Sequence, residues 1–211
     1  MLLIGQYDSP FVRRVAVTLK LYGLDFDHAP WSGFGDVDKI AHHNPLRRVP
    51  TLVLDDETVL VDSSAIIEIL DDMVGAERAF LARRGTERRD LLRWCAFAAG
   101  VADKAVSLVY ESAFRDGLPM WVQRCRSQVS ETLDLLDAER GVHTGPWLFG
   151  EQMSHADIML ATMFRFVTEA LPGQFDMQRW HALSRHSTRC EGLPEFEAAY
   201  QPYLLALPED D

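Results

Sequence analysis

The spacing of apolar residues changes its period part-way along the chain. Leu2 to Tyr7 is a short apolar run. From Pro10 to Tyr22, Val12, Val15, Ala16 and Leu19 fall on one helical face, and the segment closes at Gly23. Phe26 to Ala29 reads as a second strand and Asp36 to His43 as a short helix. Thr51 to Leu54 and Val59 to Val61 flank Asp55-Asp56-Glu57-Thr58, the pattern of a hairpin with an acidic turn. Ser63 to Met73 returns to helical spacing through Ala65, Ile66, Ile69 and Leu70. The predicted order, β-α-β-α-β-β-α, is a compact α/β unit over residues 1–75.

Beyond Gly75 the strand signals stop. Residues 76–85 are charged around an apolar plug, Phe80-Leu81, and read as a linker. Helical patterns follow from Thr86 to about Phe114, stopped by Asp116-Gly117 with Pro119 beyond, and from Pro119 to about Glu139, ended by Gly141. Others run from Ser154 to Ala170, from about Asp176 to Arg185, and from Pro194 to about Leu205; the tail Pro208 to Asp211 is expected to fray. The expected fold class is α/β plus all-α: a first domain over 1–75, a linker over 76–85 and a helical domain over 86–211.

Composition narrows the function classes. With 211 residues, 47% of them hydrophobic and 25% charged, the chain has enough apolar material for a substantial core, which argues against disorder. Its 21 basic and 32 acidic residues give a net charge of −11, a field that repels nucleic acid and anionic membranes. The densest basic clusters, Arg83-Arg84 with Arg88-Arg89 and Arg124 with Arg126, are interrupted by Glu87, Asp90 and Glu131. Cys95, Cys125 and Cys190 match neither a disulfide framework nor a metal-ligand spacing and suit a reducing compartment, so no metal is expected. Met1 to Gln6 has no basic region, and no run of about 18 apolar residues occurs. The expected location is the cytoplasm, with no membrane partner.

Three strand-to-helix or loop segments carry candidate chemistry. In Tyr7-Asp8-Ser9-Pro10-Phe11-Val12-Arg13, serine followed by proline is an ordinary helix start. It is equally a place where free N–H groups and the positive end of the helix dipole stabilise an anion, with Ser9 as an added donor. Asn44-Pro45-Leu46-Arg47-Arg48-Val49-Pro50-Thr51 reads as a rigid surface turn. Alternatively, a cis Val49-Pro50 bond frees the Val49 backbone to pair with an extended ligand. Val61-Asp62-Ser63-Ser64-Ala65-Ile66 is either a plain N-cap or a zwitterion site, Ser63 and helix N–H groups taking a carboxylate and Asp62 an ammonium group.

In order and spacing, Ser-Pro after the first strand, Asn-Pro-x-x-x-Val-Pro before the third and Asp-Ser-x-Ala-Ile after the fourth resemble the N-terminal domain of the cytosolic glutathione transferases, of the bacterial, serine-type kind. Ser154-His-Ala-Asp157 resembles that family's capping motif, with serine at the N-cap and aspartate at the third helical position. The resemblance implies a thioredoxin-like domain, a helical-bundle domain, glutathione as co-substrate and a homodimer. It implies that Asp62 and Ser63 hold the γ-glutamyl end, that Val49 pairs with the cysteinyl unit ahead of Pro50, and that Arg48 approaches the glycyl carboxylate. Where many members have glycine then lysine or glutamine before Val-Pro, this chain has Arg47-Arg48.

The same resemblance implies that the chain is an enzyme that ionises the glutathione thiol for attack on a small hydrophobic electrophile. A free thiol has a pKa of about 8.5, so at neutral pH a hydroxyl donor beside a helix N-terminus raises the thiolate fraction. Ser9 is the candidate donor and Tyr7 the alternative. Phe11, with Tyr110 and Phe114 at i, i+4 on one helix face, are the candidate substrate-contacting residues. Other uses of such a site are isomerisation, dehalogenation or disulfide reduction, and a non-catalytic binding or regulatory protein is the rival from another class. Ser9 stands where redox relatives of the thioredoxin fold carry a first cysteine, which excludes a protein dithiol mechanism.

Overall fold

A computed structural model describes residues 1–81 and 84–205. Strand β1 is Leu2–Ile4, shorter than the apolar run to Tyr7, because Gly5 adopts φ 130° and turns the chain out of the extended conformation. Helix α1, Pro10–Tyr22, starts with proline at its first position and closes at Gly23 in the left-handed conformation (φ 64°). Strand β2 is Asp27–Ala29 and helix α2 Val37–Ala41, each trimmed relative to the sequence pattern. Strands β3, Thr51–Val53, and β4, Val59–Val61, form the expected hairpin, and helix α3 is Ser63–Val74.

The sheet order is β2-β1-β3-β4, with β1 parallel to β2 and β3 antiparallel to both of its neighbours. Strand alternation divides β1 between the two faces. Leu2 and Ile4 side with Ala29, Ile40, Trp31, Val49 and Val53, while Leu3 and its partner Leu52 face the other way and are fully buried. Helices α1 and α3 pack together, burying Val12, Val15, Ala16 and Leu19 with Ile66, Ile67 and Leu70. The supposed linker is anchored through Leu81. Phe80 stacks on Tyr22 at 4.6 Å and its N–H donates to the Tyr22 hydroxyl at 2.8 Å. That hydroxyl donates to Asp71, whose carboxylate also accepts the Leu81 N–H at 3.1 Å.

The helical unit contains α4 (Gly85–Phe114), α5 (Pro119–Val142), α6 (His155–Ala170) and α7 (His181–Glu191). Helix α6 is buried on every side from His155 to Phe164, as a central helix must be, and its His155 is a core residue. Helix α5 continues through Gly141, past the end expected near Glu139. Arg140 in its last turn donates to the carbonyls of His143, Gly145 and Pro146 and so ties down the exit. The single helix expected from Asp176 to Arg185 is instead a 3-10 turn, Met177–Arg179, followed by α7. Trp180 breaks them with φ −100° and ψ 71°, and its indole N–H donates to Asp134 at 2.8 Å. Among the described residues no helix is long and apolar enough to cross a membrane.

The chain divides into two compact units, one made of Met1–Leu81 plus the chain from Pro194 onward, the other of the intervening chain up to Leu193. The sequence pattern assigned everything from residue 86 onward to the helical domain, so the grouping of the C-terminal segment differs from that expectation. Helix α8 covers only Pro194–Glu197 and does not reach Leu205, since Pro202 supplies no N–H and disfavours helix at the residue before it. Arg13 explains where the segment sits. Only 3% exposed, it donates to Ala199 O at 2.9 Å and Phe196 O at 3.0 Å, and its guanidinium lies over the Phe196 and Tyr200 rings. The tail Pro208–Asp211 and Arg83 lie outside the described residues.

The capping motif is formed in full. Asp157, fully buried, accepts the Ser154 N–H at 2.8 Å and hydroxyl at 2.6 Å on one oxygen and the Leu148 N–H at 2.8 Å on the other. Replacing Asp157 with alanine strands these donors in the core and removes the cap. Asp157→Ala is expected to cost about 3 kcal/mol, read as a lower urea midpoint at unchanged slope.

Candidate functional site

Ile4, Thr51 and Val61 pair side by side across β1, β3 and β4. Because β3 runs antiparallel to the strands on either side of it, this row is the last residue of β1, the first of β3 and the last of β4. All three candidate segments therefore leave from one end of the sheet: 5–9 after β1, 44–50 before β3 and 62–64 after β4. Neighbouring strands lie about 4.8 Å apart, so the three turns span about 10 Å, the scale of a small extended ligand.

Each turn presents backbone or hydroxyl groups that have no protein partner among the described residues. At the start of α1, Ser9 Oγ accepts the Val12 N–H at a long 3.4 Å, and the Phe11 N–H is unpaired. Val49 precedes a cis peptide bond to Pro50, is half-buried, and has neither its N–H nor its C=O hydrogen-bonded. At the start of α3, the Asp62 carboxylate accepts the Ser64 N–H at 2.7 Å, whereas the N–H and hydroxyl of Ser63, 4% exposed, are unpaired. The Phe11 and Ser63 N–H groups are first-turn donors that a helix leaves without an internal partner, and with the Val49 backbone they mark places where a ligand or water completes the pairing. Two positive helix ends, α1 and α3, point the same way electrically, toward an anion.

The loop before β3 is built to hold Val49 out. Asn44, 1% exposed, donates its amide to Arg48 O at 2.9 Å and Thr51 Oγ1 at 3.0 Å and accepts the Leu46 N–H at 3.0 Å. Arg47, where the resemblance expects glycine, takes the left-handed conformation at φ 52°, so this arginine keeps the glycine path. Its guanidinium pairs with Asp38 at 3.5 Å, while Arg48, exposed, has no ion pair among the described residues. Of the two adjacent cations, only Arg48 is uncommitted.

Two contributors escape a reading of motifs. Gly5 lets three pieces meet: a β-carbon there would lie 2.5 Å from Val12 Cγ2 and 2.8 Å from Val49 Cβ. A glycine directly after the first strand and before Ser-Pro was the signal that could have found it. His28 on β2 donates Nε2–H to Gly5 O at 2.8 Å and stacks on Tyr7, with ring centroids 3.9 Å apart and planes 4° from parallel. The Tyr7 ring is thus held on the β2 side of β1, opposite the β3 side from which the Val49 loop leaves. Burial also pushes the Tyr7 phenol above its ordinary pKa.

Phe11 is half-buried beside Pro10. On α4 of the helical unit, Tyr110 and Phe114 are 42% and 48% exposed and form an edge-to-face pair at 5.7 Å, so they are not core. Trp94 on the same helix is core, 3% exposed. Cys95, Cys125 and Cys190 are unbridged, and all belong to the helical unit. Burial pushes the thiols of Cys125 and Cys190 up, away from thiolate chemistry.

Comparison with known families fits this arrangement. Residues 3–78 match the family model for the glutathione S-transferase N-terminal domain, and residues 119–189 match that for the C-terminal domain. The chain belongs to the glutathione S-transferase family. Among curated relatives of this transferase family, the uncharacterized GST-like protein YibF of Escherichia coli is 29% identical over 139 residues, 65% of this chain and 68% of the relative. Glutathione S-transferase U28 of Arabidopsis thaliana is 22% identical over 213 residues, covering 93% and 89% of the two chains. A glutathione S-transferase from Methylobacterium radiotolerans, solved with glutathione sulfonate, matches with a TM-score of 0.90 at 22% identity over 100% of this chain and 98% of that one. A family member from Pseudomonas fluorescens with bound glutathione gives 0.80 at 26% identity, covering 96% and 99%.

Gly5→Ala tests the close approach. The positive φ and the two sub-3 Å contacts together are expected to cost about 3 kcal/mol or more, seen as a drop of the denaturation midpoint.

Proposed function

We propose that this transferase-family chain binds glutathione across the three turns of its first unit and uses it as a nucleophile against a small hydrophobic electrophile. The observation that carries the reading is the set of unpaired groups at one end of the sheet: Phe11 N–H, Val49 N–H and C=O, and Ser63 N–H and hydroxyl. Their spacing and chemistry suit an extended, doubly anionic tripeptide. The Val49 backbone pairs with the cysteinyl unit as an added strand would. Ser63 and the α3 N-terminus take the γ-glutamyl carboxylate, and Asp62 takes its ammonium group through the oxygen not used in capping. Arg48 lies within reach of the glycyl carboxylate.

This pose brings the cysteinyl sulfur toward the α1 N-terminus. Ser9 supplies a hydroxyl donor, and the unpaired Phe11 N–H and the helix dipole add positive potential. A hydrogen bond to a charged acceptor contributes about 1.5–3 kcal/mol, which lowers a thiol pKa of about 8.5 by roughly one to two units and raises the thiolate from a few per cent to a large fraction near neutral pH. Tyr7 is the weaker candidate, its ring committed to His28 and its phenol made harder to ionise by burial. Phe11 offers the electrophile an apolar surface beside the activated sulfur. The thiolate attacks, the electrophile's leaving group departs with the bonding pair, and the thiol proton passes to solvent; no residue has to act as a strong base. In the cell we expect a cytoplasmic homodimer acting on reactive compounds.

With a standard thiol-reactive aromatic halide, Ser9→Ala is expected to lower kcat/KM roughly tenfold or more, about 1.4 kcal/mol, and Tyr7→Phe less than about threefold. The reverse ranking overturns the assignment of Ser9. Wild-type protein should be retained on immobilised glutathione and Asp62→Ala should pass through; a folded wild-type protein that is not retained contradicts the ligand itself.

A further inference from the structure

A concavity in the helical unit is not used by anything above. It has a volume of ≈ 190 Å³ and lies between the end of α5, the loop that follows it, and one face of α7. Its lining is overwhelmingly basic: Arg140, Arg185 and Arg189, with His143 and His186, beside the Thr144 hydroxyl. Among the described residues no carboxylate lines it. The nearest carboxylate is the buried Asp157, 3.7 Å from His186 Nε2 on the far side of the ring, so one negative charge stands against three guanidiniums around this cavity, an excess of positive charge that draws an anion.

The three arginines divide the work. Arg140, 9% exposed, is fixed: it donates to His186 Nδ1 at 3.1 Å and to the carbonyls of His143, Gly145 and Pro146, so it forms a rigid charged floor. His186 behind it is held by Asp157, whose backbone carbonyl lies 3.3 Å from His186 Nε2. Arg185 and Arg189 stand one helical turn apart on α7 and have no hydrogen bond or ion pair among the described residues. Each repels Arg140: burial comes first in pushing the Arg140 guanidinium down, the Asp157 carboxylate opposes that shift, and Arg189 and Arg185 add to it. Room is left because Gly141 and Ala182 meet there with little or no side chain: a β-carbon on Gly141 would stand 4.0 Å from Ala182 Cβ.

We propose that this cavity is an anion site for a phosphoryl group, free or on a small monoester, with Arg185 and Arg189 as the ligand-binding forks and Arg140 as the fixed charge beneath them. A tetrahedral dianion matches the requirement better than a halide. It offers several acceptor oxygens to two exposed guanidinium forks, and its charge offsets more of the three cations. The volume admits a phosphoryl group and a few further atoms, well short of a drug-sized ligand.

The test is calorimetric titration of the full-length protein with inorganic phosphate and, separately, glycerol 3-phosphate, at ionic strength held constant with chloride. Saturable binding of one equivalent is expected for at least one probe, and the tighter probe tells whether the free ion or the monoester is the occupant. The exposed pair is then replaced: R185A/R189A should keep its circular dichroism, since alanine favours helix, and bind at least about tenfold more weakly. Arg48→Ala should bind as wild type does, because its site lies in the other unit. Binding that is unchanged in R185A/R189A, that disappears with Arg48→Ala, or that is absent for both probes overturns the proposal.

Discussion

Ile4, Thr51 and Val61 lie in one row of the sheet, and every turn of the candidate site departs from that row. The constraint is one of register. A one-residue slip of β3 against β1 would exchange the two faces of that strand, moving Leu52 out of its buried layer and carrying the Val49 loop away from the start of α1. Leu3 and Leu52, fully buried partners, oppose that slip. The core of the first unit and the position of its unpaired groups are therefore fixed by the same pairing. Gly5 completes the constraint by letting Val12 and Val49 close on the backbone between them.

The two units handle polar groups in opposite ways. In the helical unit, the buried polar groups of the capping motif are satisfied internally: Asp157 collects three donors, and Arg140 spends its guanidinium on a histidine ring and three carbonyls. That investment fixes the start of α6 and the exit of α5. In the first unit, Val49 and Ser63 keep their groups unpaired, so that a ligand able to pair with all of them is selected over one that is not. Arg48 and two helix N-termini then set a local positive potential against a negative overall field, so a small anion is attracted at short range while a polyanion is repelled as a whole.

Much of this was legible in the sequence where the signal is local. Ser9-Pro10 and Asp62-Ser63 mark helix starts by their own chemistry, Val49-Pro50 marks a rigid turn ahead of a strand, and Ser154 with Asp157 marks a capping box. The elements around them followed from apolar period. What was hidden depends on distant partners. The C-terminal segment joins the first unit because Arg13 needs carbonyls more than 180 residues away along the chain. Helix α7 starts late because Trp180 turns its indole to Asp134. The left-handed path of Arg47 rests on the buried Asn44, and the restraint on Tyr7 rests on His28 in the neighbouring strand. None of these has a periodic or compositional signature.

The central claim is that three turns at one end of the sheet form a single glutathione site in the first unit. Its most direct test is a two-dimensional amide NMR titration of the labelled protein with glutathione. The account predicts saturable shifts, with one common midpoint, of the Phe11, Val49, Ser63 and Ser64 amides, while Asp157 and its neighbours in the capping motif stay still. Shifts confined to the helical unit, or midpoints that differ among the three turns, would contradict it.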